Sequence, residues 1–107
     1  MNYKLNILVE AELDLENIYY YIAYVLGNEQ AARHLFKQLT SSFLDLTYFP
    51  YRFKEIEKYK LLKIHKMMID NYVIIFQIDE EHKNVIVLRV LYKGRLIEKI
   101  IDQSILN

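Results

Sequence analysis

Lys63, His65 and Lys66, followed by Arg89, Tyr92 and Arg95, are the side chains of this 107-residue chain with chemistry to offer. An imidazole titrates near neutral pH and moves protons. Lysine and arginine hold anions, and a tyrosine hydroxyl donates a proton. Lys63 and His65 are two residues apart, which puts both on one face of an extended segment. Arg89 interrupts the apolar run VIVLRVLY (85–92), and Tyr92-Lys93-Gly94-Arg95 closes it with a short basic turn. A charge placed among apolar strand residues needs a partner. This stretch therefore reads as a strand with a polar working end, where an acidic or phosphate group meets the chain.

Other chemistries are excluded or weakly supported. The chain has no cysteine, so disulfides, thiol catalysis and thiolate metal sites are out. His34, His65 and His82 do not form an HxH or HxxxH pair, and no metal site or cofactor is expected. His34 falls on a polar helix face and His82 in a charged turn, so both read as surface residues. Gly94 alone is no phosphate loop; it permits a turn after the strand.

Net charge is zero, with 14 basic and 14 acidic residues, but the two signs are unevenly spread. Residues 1–50 carry −3 and residues 51–107 carry +3. This is not the overall charge of a strongly basic nucleic-acid binder, though a local anion site is compatible with it. Apolar residues make up 53% of the chain, enough for a core, and the length predicts one domain over residues 1–107. No stretch approaches the roughly 20 apolar residues of a membrane span. A cytoplasmic protein with no membrane partner is expected.

The elements that must position these residues follow from periodicity. YKLNIL (3–8) alternates as a short strand. In the next segment Ala11, Leu15, Ile18, Ile22, Val25 and Leu26 fall on one helical face, with Glu10, Glu12, Asp14 and Glu16 in the first turns. Gly27-Asn28 stops that helix. A second helix, Glu29 to about Thr47, presents Ala31, Ala32, Leu35, Phe36, Leu39, Phe43 and Leu46. The short connection makes the pair an antiparallel hairpin. Pro50 blocks further helix. After a loop at 51–58 come strands at 59–68, 72–78 and 84–92, with Asp70-Asn71 and residues 79–83 as turns. Apolar residues 96, 97, 100, 101 and 105 give the end of the chain a short helix or docked tail. The expected fold is α+β: an N-terminal strand and a two-helix hairpin packed on a mainly antiparallel sheet of about four strands.

Two apolar surfaces exceed what this fold buries. In the last strand Ile86, Leu88, Val90 and Tyr92 alternate with Val85, Val87, Arg89 and Leu91, so both faces are apolar. The hairpin covers one; the tail or a partner must cover the other. Leu13, Tyr20 and Tyr24 lie opposite the core stripe of the first helix.

In this order, "AELDLENIYYYIA", "FP" at 49–50 and "NYVIIFQIDEEHKNVIVLRVLYKGR" resemble the RelE/ParE superfamily of type II toxin–antitoxin toxins over nearly the whole chain. The resemblance implies a growth-inhibiting toxin neutralised by a small antitoxin. It also implies partner contacts at Leu13, Tyr20, Tyr24, Val73, Ile75, Val87, Arg89 and Leu91, in a toxin–antitoxin assembly or a homodimer. RelE-like members cut mRNA on the ribosome, and ParE-like members poison DNA gyrase. Cleavage through the RNA 2′-hydroxyl needs a base, an acid and cations. Lys63, His65, Arg89, Tyr92 and Arg95 are the catalytic candidates if the chain is a nuclease. Against that, Val73 stands where RelE-like toxins resemble one another in an arginine, and the tail LIEKIIDQSILN lacks their tyrosine. The sequence pI near 6.8 is also low for ribosome binding. LRVLYKGR is nearer the ParE-like pattern. It departs from that pattern at Tyr92, where histidine is common, and at Leu96, where an acidic residue is. Gyrase poisoning is the favoured expectation, mRNA cleavage the alternative, and an inactive binding module of toxin fold the third.

Overall fold

The computed structural model describes residues 2–106, apart from the side chains of Ile105 and Leu106; the expectation for position 105 lies outside the described side chains. Strand β1 (Lys4–Ile7) leads into helix α1 (Val9–Tyr20), and α2 (Glu29–Asp45) returns alongside it. Four more strands follow: β2 (Lys54–Glu55), β3 (Ile64–Ile69), β4 (Tyr72–Asp79) and β5 (Asn84–Tyr92). Helix α3 (Ile97–Leu106) comes last. The sheet order is β1-β5-β4-β3-β2, parallel between β1 and β5 and antiparallel elsewhere. This is the expected α+β fold, with a fifth strand of two residues inside the segment expected to be loop.

The hairpin differs from a regular 100° helix at its turn. Residues Tyr21–Val25 widen into a π-helical turn, and the Leu26 amide donates to the Tyr21 carbonyl five residues back at 2.9 Å. A wider turn rotates the following residues off the core stripe. Val25 and Leu26 are therefore each 59% exposed, and Ala23 is buried in their place. Gly27 then turns the chain at φ +71°, and the Asn28 side chain caps α2 by accepting the Ala31 amide at 3.0 Å. Along α2, Ala32, Leu35, Leu39, Phe43 and the following Leu46 are buried. Ala31 and Phe36, expected in the stripe, are exposed at its edges.

Strand β3 begins later than expected, at Ile64 rather than at residue 59. Residues Glu57–Leu62 form 3-10 turns rather than strand, and Lys63 is left-handed at φ +55°. The reason is Tyr59. Its ring is buried, and its hydroxyl donates toward the Glu98 carbonyl (2.9 Å) and the Asp102 carboxylate of α3. Lys58 Nζ adds a 3.0 Å bond to Asp102.

Two cores result. Under the hairpin, Leu15, Leu39 and Phe43 meet Ile74, Phe76, Val85, Val87 and Val90. On the other side of the sheet, Ile56, Tyr59, Ile64, Val73, Ile75, Leu91 and Ile101 pack together. The second apolar face is thus covered by this chain's own residues 56–62 and α3. The simple alternation expected along β5 fails at one point. Ile75 pairs with Arg89 but Phe76 pairs with Val87, so Leu88 is an extra residue, a β-bulge. Beyond it the faces swap, and Val90 joins Val85 and Val87 under the hairpin while Leu91 faces α3.

Candidate functional site

The bulge aims Arg89 at α1. Its Nε donates to Asp14 Oδ2 at 2.7 Å and its Nη2 to Asp14 Oδ1 at 2.8 Å. The Val90 amide donates to the same Oδ2 at 2.9 Å. One carboxylate thus takes three hydrogen bonds from β5 and ties the helix to the sheet. This two-point geometry is the strong form of the ion pair. The Asp14 hydrogen bond is also the main cause that raises the Arg89 pKa. The arginine expected to await an acidic partner already has one within the chain.

Beside this pair a cleft of about 400 Å³ opens between α1 and the end of β5, with Tyr21, Tyr72, Tyr92 and Arg95 on its wall. It adjoins a larger one, about 780 Å³, that shares those three tyrosines and adds His34, Gln38 and Asn71. The π-helical turn carries Tyr21 to this position, and the Asp70-Asn71 turn presents Tyr72. The Tyr72 and Tyr92 rings meet edge to face at 5.4 Å. Burial first, and then Tyr92 and Tyr21, raise the Tyr72 pKa, so its phenol is a neutral donor. Gly94, at φ +91°, turns the chain so that Arg95 returns to the cleft. Arg95 is exposed and makes no ion pair among the described residues. The cleft can hold an anion beside aromatic rings.

The structure places the five catalytic candidates in two groups. Arg89, Tyr92 and Arg95 gather at the cleft. Lys63 sits at the opposite end of the sheet, where its carbonyl accepts the Ile78 amide at 3.0 Å. Six residues of β4 separate Ile78 from Tyr72, about 20 Å at strand rise. His65 is 2% exposed. Its ring stacks on Phe76 at 5.7 Å under the edge of Tyr51, and its Nδ1 lies 2.9 Å from the Phe53 carbonyl. Lys63 and His65 do not form the paired face expected of them, because Lys63 is outside the strand. Of the partner-contact residues, Val73, Ile75, Val87 and Leu91 are buried within the chain, while Leu13, Tyr20 and Tyr24 are exposed. His34 and His82 are surface residues, as expected.

Asp14, Tyr21 and Tyr72 were not singled out from sequence. Asp14 carried a signal: it is the acidic residue on the flank of the α1 stripe, and Arg89 needed an acid.

No group of three metal-ligating side chains occurs among the described residues, and no helix there is long and apolar enough to cross a membrane.

A helix hairpin on a five-stranded sheet, with a basic turn at the end of the last long strand, is the fold of the RelE/ParE toxins. Residues 5–97 match the family described as the ParE toxin of the type II toxin–antitoxin system parDE, and the chain belongs to that family. Solved structures share the fold. The RelBE2 toxin–antitoxin complex of Mycobacterium tuberculosis has a chain 21% identical at a TM-score of 0.61, covering 87% of this chain and 100% of its own. A chain of the chromosomal ParDE system of P. aeruginosa is 14% identical at 0.67, covering 84% and 95%. A mutant E. coli RelE toxin in the free state is 14% identical at 0.63, covering 98% and 96%. No curated protein sequence matches the chain.

Proposed function

We propose that this chain is a growth-inhibiting toxin that acts by binding its target rather than by cutting RNA, with DNA gyrase as that target. The observation that carries this reading is the dispersal of the acid–base candidates. Proton transfer requires the base within hydrogen-bond reach of the reacting hydroxyl. His65 is buried among aromatic rings, and Lys63 is at the far end of the sheet from Tyr92 and Arg95. The remaining cluster is a binding surface, an aromatic cleft whose Arg95 guanidinium is unpaired among the described residues, and the family match supports the gyrase assignment.

A cognate antitoxin is the natural partner, since two structures of this fold are described as a toxin–antitoxin complex and a ParDE system. An acidic antitoxin segment would meet Lys93 and Arg95, which are exposed, rather than Arg89, which Asp14 occupies. Both a gyrase target and the antitoxin place the protein in the cytoplasm.

Ribosome-dependent mRNA cleavage is the second reading. Its support is the likeness to RelE together with the exposed Tyr92 and Arg95, which are able to hold a phosphate. Inducible expression with a growth readout, gyrase supercoiling and primer extension on a reporter mRNA separates the two. Blocked supercoiling with intact mRNA is expected. Ribosome-dependent cuts with normal supercoiling would overturn the proposal.

A further inference from the structure

The two clefts at the tip of the helix hairpin share Tyr21, Tyr72 and Tyr92, so they form one trough between the hairpin and the end of the sheet. Elsewhere this chain sets tyrosine hydroxyls against carboxylates. Tyr3 and Tyr51 donate to Glu80, and Tyr59 donates to Asp102. The three phenols of the trough have no such acceptor among the described residues. Asp14 reaches the smaller cleft, but Arg89 already holds both of its oxygens, and the Val90 amide shares one of them.

Charge is polarised along the trough. Arg95 lines the smaller cleft only, and neither it nor the exposed Lys93 makes an ion pair among the described residues. The Lys93 amide donates to the Asn71 carbonyl at 2.7 Å, which fixes this basic turn against the β3–β4 turn. Asp70 lines the larger cleft only, beside Ile22, Leu26 and Leu35. The β5 end of the trough therefore offers unpaired cations, and the hairpin end offers apolar side chains and one carboxylate.

We infer that the trough seats an extended acidic segment of a protein partner. One carboxylate of that segment is held by Arg95 and the hydroxyls of Tyr72 and Tyr92, and a neighbouring apolar side chain lies against Ile22 and Leu26. A carboxylate accepts several hydrogen bonds at once, and a guanidinium matches its two oxygens. Burial, with Tyr92 and Tyr21 nearby, keeps the Tyr72 phenol protonated, so it donates. A nucleic-acid strand fits less well. Its successive phosphates need a row of cations, and Asp70 at the far end of the trough repels the next phosphate. The inference rests on the reading of this chain as a toxin that acts by binding, and not on gyrase as the partner.

Nuclear magnetic resonance titrations of isotope-labelled full-length protein test it with three probes. The first is a blocked tetrapeptide of phenylalanine, glycine, glutamate and glycine. The second has glutamine in place of glutamate, and the third is a thymidine tetranucleotide. The glutamate peptide should shift the signals of Tyr72, Tyr92 and Arg95. It should bind about tenfold tighter than the glutamine peptide, the difference that a charged hydrogen bond makes. Arg95→Gln, an exposed change, should erase that preference. Tyr72→Phe keeps the ring and should weaken binding of the glutamate peptide about threefold. Equal binding of the two peptides, an absence of shifts in the trough, or a preference that survives Arg95→Gln would overturn the inference. So would tighter binding of the tetranucleotide. The supercoiling assay reads the other question. Blocked supercoiling by a protein whose trough ignores the glutamate peptide would refute this inference and leave the gyrase reading standing. Normal supercoiling with selective binding of the glutamate peptide would refute the gyrase reading alone.

Discussion

Asp14 and Arg89, 75 residues apart in the chain, form a two-point ion pair that pins helix α1 to the bulge of strand β5. The pair is three-quarters or more shielded from water, and the Val90 amide shares the same carboxylate. Removing one partner strands the other in a poorly solvated site, which costs more than removing both. Asp14→Ala should lower unfolding stability by about 2–4 kcal/mol. The pair of changes Asp14→Ala and Arg89→Met should be less damaging than the two losses summed. Urea unfolding of the two single variants and the double variant measures the coupling; additive losses would show that the pair contributes little.

Ile101 is the side chain that α3 inserts into the second core, against Ile56, Tyr59, Ile64 and Ile75. Ile101→Ala should cost about 2–4 kcal/mol by loss of buried area and the cavity left behind. Tyr59→Phe should cost about 1 kcal/mol, the value of a net hydrogen bond lost to α3. Thermal unfolding of both variants, with a dye that reports exposed apolar surface, checks the order.

Glu80 links the N-terminus, the turn after α2 and the β4–β5 hairpin. Its Oε1 accepts from Tyr3 at 2.8 Å and Tyr51 at 2.7 Å, and Oε2 meets Lys83. Lys83 first, then Tyr51 and Tyr3, lower its pKa from the ordinary 4.5 to about 2. A carboxylate depressed on folding contributes stability that is present above its unfolded value and lost as pH falls through the folded one. Stability should therefore decline between pH 4.5 and about 2, and Glu80→Gln should flatten that limb. The companion Tyr51 phenol is raised to about 12 by burial and by Glu80. Its contribution is present below pH 10 and lost as pH rises through 12. Midpoint denaturant concentrations across pH measure both limbs.

The two groups of candidate residues separate by function. Tyr92→Ala and Arg95→Ala remove exposed side chains of the cleft and should relieve growth inhibition about tenfold or more with little loss of stability, as surface changes do. Lys63→Ala should leave inhibition intact. His65→Phe removes Nε2, which has no hydrogen-bond partner among the described residues, and the Nδ1 contact with the Phe53 carbonyl, and it keeps the stack on Phe76, so inhibition should again persist, at some loss of stability. Induction titrations with quantified protein levels give the comparison. Loss of toxicity in Lys63→Ala at unchanged protein level would return the RNA-cleavage reading.

The residues themselves determined much of this protein. The helix stripes at Leu15 and Leu39, the stop at Gly27, the turn at Asp70-Asn71 and the apolar runs of β4 and β5 are local or periodic signals. Hydrophobic spacing and turn chemistry act over a few neighbours, so they are legible without the fold. Arg89 was legible as a problem, because a charge among apolar strand residues demands a partner. Its solution was not: Asp14 is 75 residues away, and a single extra residue at Leu88 decides where the guanidinium points. The same bulge moves Val90 under the hairpin and Leu91 under α3, and the π-helical turn trades Val25 and Leu26 for Ala23. Residues 59–62 carry strand-like composition, yet the Tyr59 bond to α3 makes them 3-10 turns. Each of these depends on which distant surfaces meet. Packing settles register and facing only when both sides of the sheet are filled, and periodicity in one chain segment carries no record of that.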